Sequence, residues 1–64
     1  MSRRRNFMVR LTYRDADGST GVASSDRRAR TPQEAIRIAI RAKRSSTPHA
    51  RIEGAAAFPY VVLQ

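Results

Sequence analysis

From Phe7 to Arg14 the chain alternates: Phe7, Val9, Leu11 and Tyr13 are apolar or aromatic, and Met8, Arg10, Thr12 and Arg14 stand between them. A period of two is the signature of a strand with one buried face, and this is the clearest strand in the sequence. Asp15-Ala16-Asp17-Gly18 follows. Asp bonds its own backbone and Gly accepts a positive φ, so the chain is expected to reverse here into a hairpin. The returning strand, from Ser19 to about Ala29, holds Thr20, Val22 and Ala23 but few large apolar residues. Either Val22 or Ala23 fits the core side, because sparse apolar side chains specify register weakly. Asp26-Arg27-Arg28 near its end suggests an exposed edge with room for a bulge.

A helix start comes next. Thr31 is the N-cap, Pro32 takes the first helical position where its missing N–H costs nothing, and Glu34 stands where a capping box places its acid. Projected at about 100° per residue, Ala35, Ile36, Ile38, Ala39, Ile40 and Ala42 fall on one broad arc, with Arg37, Arg41 and Arg44 opposite. Ser45-Ser46-Thr47-Pro48 ends the helix, since the residue before a proline avoids helical backbone angles. The segment from Arg51 through Ile52 to Phe58, Pro59 and Tyr60-Val61-Val62-Leu63 reads as a third strand, with Pro59 at an edge or a bulge.

The order strand, strand, helix, strand predicts an α+β fold of ββαβ type, a single sheet layer under one helix. A right-handed crossover carries the third strand past the first, so the predicted sheet is antiparallel with spatial order 2-1-3. If the helix covers Phe7, Val9, Leu11 and Tyr13, no element remains to cover the opposite face, which should be polar and basic.

Sixty-four residues leave room for one domain, and without cysteine neither a disulfide nor a thiolate metal site can staple it. Packing, backbone pairing or a second copy of the chain must supply the stability. Residues 1–6, with Arg3-Arg4-Arg5 and no apolar anchor before Phe7, read as a disordered basic arm, and residues 7–64 as the domain. The basic start is not followed by a continuous apolar stretch, so neither a secretory signal nor a membrane span is expected, and the setting reads as cytoplasmic.

Thirteen basic against five acidic residues give a formal net charge of +8, and twelve of the thirteen are Arg. A GC-rich codon bias would explain Arg over Lys. It would not explain the scarcity of acids, so the charge points to an anionic partner.

Other chemistry is poorly supplied. Asp15-Ala16-Asp17-Gly18-Ser19 looks like the opening of a calcium loop, but the sixth position is Thr20 where Gly is needed, the twelfth is Asp26 instead of Glu, and a strand precedes it. His49 is the only histidine and could find only carboxylates as fellow ligands. The serines lack a positioned base, and the chain is too short to enclose a dry pocket. No enzyme activity, cofactor or metal is expected.

The remaining constellation is arginine. Arg3, Arg4 and Arg5 in the arm, Arg10 and Arg14 on the sheet, and Arg27, Arg28 and Arg30 at the second strand's end form a candidate phosphate-binding set, because guanidinium forks match pairs of phosphate oxygens. The first strand's outward residues hold no aromatic platform, so the expectation is largely non-specific, salt-sensitive contact with DNA or RNA. The competing expectation is a small phage-type or bacterial accessory protein that docks on an acidic protein surface or forms a homodimer. Its interface would be the open face, with Met8, Phe58, Tyr60 and Leu63 as anchors.

Overall fold

Alternation in the first strand decides where everything else packs. The computed structural model describes residues 3–61, in the order β1 (Arg5–Arg14), β2 (Thr20–Ala29), α1 (Pro32–Ser46) and β3 (Arg51–Tyr60). The sheet is antiparallel with order β2-β1-β3, as expected, so the best-patterned strand is central. Phe7, Val9 and Leu11 are buried under α1, whose Ala35 and Ala39 are buried in return, and Ala29 completes the core. Ile36, Ile40, Ile52 and Ala57 pack around this centre. Small side chains at i and i+4 share one helix face and let the helix backbone approach the sheet closely. Ile38, placed on the apolar arc by the sequence, lies at its margin and is exposed.

The helix is closed at both ends by local bonds. The Glu34 amide donates to Thr31 Oγ1 at 3.1 Å, and the Thr47 amide donates to the Lys43 carbonyl at 2.8 Å. Between β1 and β2, the Gly18 amide donates to the Asp15 carbonyl at 2.9 Å, and Gly18 takes φ 88°. The Ser19 amide and hydroxyl both donate to Asp17 Oδ1, at 2.9 and 2.6 Å. These hydrogen bonds, the hydroxyl's first, hold the Asp17 carboxyl below its ordinary range.

The loop leaves Arg14 opposite Thr20, and from there the β1–β2 ladder runs without a break to Arg5 opposite Ala29. Two expectations are corrected here. The β1–β2 register has no bulge; the irregularity falls in β3, where the pairing with β1 shifts between Thr12 and Tyr13 and leaves Glu53 without a partner. Arg5 and Asn6, expected within a disordered arm over residues 1–6, belong to β1 and pair with Ala29 and Arg28, and Met1 and Ser2 lie outside the described residues. Backbone pairing needs no apolar side chain, so the strand extends as far as β2 offers partners. Pro59 lies on an edge strand, where the ladder does not require its missing N–H.

Facing α1, β2 contributes only Gly21, Ala23, Ser25, Arg27 and Ala29, so Ala23 takes the core side and Val22 points out. Tyr13 fills part of the space that these small residues leave. A Cβ built on Gly21 would lie 2.6 Å from the Tyr13 hydroxyl oxygen, and Lys43 Nζ sits 3.9 Å from the Tyr13 ring centroid. The ring is thus held between the backbone of β2 and an ammonium group on α1. A groove of about 350 Å³ remains between β2 and the helix, with Arg27 and Lys43 in its walls.

Gly21→Ala should displace the Tyr13 ring and lower the unfolding free energy by about 1–3 kcal/mol. Chemical denaturation should show that loss vanish when Gly21→Ala is placed in a Tyr13→Ala background. Because Asp17 is held low in the folded state, its contribution is present at neutral pH and lost as pH falls through the depressed value. Thermal melts should therefore show Asp17→Asn, which keeps the acceptor oxygen and does not titrate, losing less stability on acidification than the parent chain.

Candidate functional site

Residues paired across antiparallel strands project to the same side, so the register assigns every side chain to a face. The face away from α1 carries Asn6, Met8, Arg10, Thr12 and Arg14 from β1, flanked on β2 by Arg28, Asp26, Ser24, Val22 and Thr20. On β3 the partners are Tyr60, Phe58, Ala56, Gly54 and Arg51. No described element covers these residues, and Met8, Val22, Phe58 and Tyr60 are 40, 58, 55 and 37 % exposed.

The arginines expected to act together are divided by this geometry. Arg10, Arg14 and Arg28 share the open face, whereas Arg27, one residue from Arg28, points to the helix side, where its Nε donates to Ser25 Oγ at 3.2 Å. Arg5 has the parity of Phe7 and Val9, Arg30 lies in the connection to α1, and Arg3 and Arg4 are exposed ahead of β1. Arg51 joins the open face, opposite Arg14, and was missed by the sequence reading. Only the pairing of β3 with β1 reveals it. Arg37, Arg41 and Arg44 are exposed on the outer side of α1.

Two carboxylates sit among these cations. Arg14 Nε lies 3.2 Å from Glu53 Oε2, so the residue that bulges out of β3 partly neutralises one end of the face. Asp26 stands opposite Met8, across β1 from Phe58. Burial first, and then the Asp26 carboxylate, raise the Tyr60 phenol above its ordinary range. Arg10, Arg28 and Arg51 make no side-chain ion pair among the described residues.

The open face thus has a basic end around Arg14 and Arg51 and an aromatic end around Met8, Phe58 and Tyr60, with Arg10 and Arg28 beside the aromatic end. Three of the four residues named as interface anchors are brought together; Leu63 lies outside the described residues. Absence of an aromatic platform holds for β1 alone, since the neighbouring strand places Phe58 and Tyr60 on the same side.

Asp15 and Asp17 serve the hairpin turn, and His49 is exposed in the turn between α1 and β3. Among the described residues no three His, Cys, Asp or Glu side chains are grouped to hold a metal ion. No described helix is long and apolar enough to cross a membrane. No known protein family, curated protein or solved structure matches this chain.

The Arg14–Glu53 pair is exposed on both sides, so Glu53→Gln should change stability by less than about 1 kcal/mol in denaturant titration.

Proposed function

We propose that this protein is a small binding module for nucleic-acid phosphates, acting through the uncovered face of its sheet. The observation that supports this most strongly is the placement of Arg10, Arg14, Arg28 and Arg51 on one rigid surface that has only Asp26 and Glu53 as counter-charges. Ladder hydrogen bonds fix the positions from which these guanidinium groups project, so ordering them on a ligand costs less than ordering a flexible arm. The exposed arginines Arg3 and Arg4, ahead of β1, add charge near the Arg28 end. Phosphate contact of this kind carries no base sequence information, so binding is largely non-specific and steeply salt-dependent.

The exposed Met8, Phe58 and Tyr60 favour a second reading, an accessory protein that docks this face on an acidic protein surface or on its own copy. An interface anchored by apolar side chains survives added salt, whereas phosphate contact does not.

Fluorescence anisotropy with a labelled generic oligonucleotide separates the two. Binding should weaken as salt rises, and Arg10→Ala and Arg28→Ala should each lower the log–log salt slope by about 1. Arg37→Ala, on the outer side of the helix, should leave the slope unchanged. Absence of binding at low salt, or a slope unaffected by the sheet arginines, would remove this reading.

A further inference from the structure

We infer that Phe58 and Tyr60, with Met8 beside them, form a platform on which two successive bases of an extended single strand stack. This rests on the phosphate-binding reading and names the kind of nucleic acid the face takes. Phe58 and Tyr60 are at positions i and i+2 of one strand, on the same side, so the backbone positions from which their rings project are about 6.6 Å apart at a rise of ~3.3 Å per residue. Stacked bases in a duplex are about 3.4 Å apart. Bases seated one on each ring are therefore separated by twice that rise, which a duplex cannot provide and an extended single strand can.

The surroundings fit such a ligand. Phe58 is 55 % exposed although it stands in a regular part of the ladder, with Met8 directly across from it. Arg10 sits diagonally from Phe58, and Arg28 shares a row with Asn6 and Tyr60, so the register places cations on the same face as the rings. At the strand ends beyond Tyr60 lies a recess of about 580 Å³, lined by Asn6 and Tyr60 of the open face together with Arg5, Pro59 and Val61. A protein partner would be favoured by a wider apolar surface, but the row below the platform is Ser24, Arg10 and Ala56. Aromatic rings among arginines are the composition that sequence-tolerant single-strand binding uses.

The chain has no Trp, so Phe58→Trp introduces a single reporter at the platform. A single-stranded oligonucleotide should quench its emission, and a duplex of the same length should not. Phe58→Ala should weaken single-strand binding by roughly five- to a hundredfold, leaving duplex affinity and the salt slope as in the parent chain. Far-UV circular dichroism melts of both variants should match the parent, as the position is exposed. Equal affinity for single strand and duplex, with Phe58→Ala unchanged, would overturn the platform while leaving the phosphate reading intact. If neither nucleic acid binds at low salt, both fall. If Phe58→Ala instead converts a dimer to a monomer on sizing chromatography with nucleic-acid binding unchanged, the face belongs to a second copy and the platform is overturned.

Discussion

The packing on which this structure depends sets Ala35 and Ala39, a helix edge without bulk, into one buried cluster with Phe7, Val9 and Leu11 of the central strand. Larger residues at these two helix positions would lift α1 from the sheet and uncover Phe7 and Leu11. Ile36 and Ile40 of the helix and Ile52 and Ala57 of β3 are partly buried around this cluster. Toward β2 there is no comparable filling, and Tyr13, clamped between Gly21 and Lys43, substitutes for it. A core of six buried residues, three of them Ala, is a thin foundation, so local devices matter: the Thr31 cap, the Asp17 turn and the Tyr13 clamp each secure a part the core does not reach.

One helix covers one side of one sheet, and the second side is left to water. In most larger α/β arrangements a second helical layer would bury it. Here the exposed side carries side chains of two unlike kinds, guanidinium groups and aromatic rings, held at fixed separations by the ladder. The same regularity that stabilises the strands sets the spacing of what they display. That is why the functional proposal concerns this surface and not the arginines of α1, which have no aromatic residue on their helix.

Much of the fold was legible in the sequence. Strict alternation in β1 and the Thr31-Pro32 start of α1 are local signals, and chain handedness then leaves order 2-1-3 as the outcome. The site was legible only in part. Whether Val22 or Ala23 points inward depends on the length of the turn, since Arg14 opposite Thr20 puts Val22 outside, and the same parity separates Arg27 from Arg28. Arginine clusters that are contiguous in sequence are for this reason split in a strand. In β3 the run Ala55-Ala56-Ala57 carries no period to read, so the side on which Phe58 and Tyr60 emerge was decided by pairing with β1 and by the shift at Glu53.

That shift has a consequence for how the chain tolerates changes in length. Gly54 stands opposite Thr12 and Ile52 opposite Tyr13, with Glu53 between them and unpaired. A chain lacking residue 53 would keep every other cross-strand partner of β1, with Ile52 still toward the helix and Tyr60 still on the open side. The loss of a residue between 54 and 59 would keep the faces beyond it only if Glu53 left the bulge and entered the ladder. The third strand therefore holds one residue whose removal leaves the pairing in phase, the carboxylate that engages Arg14.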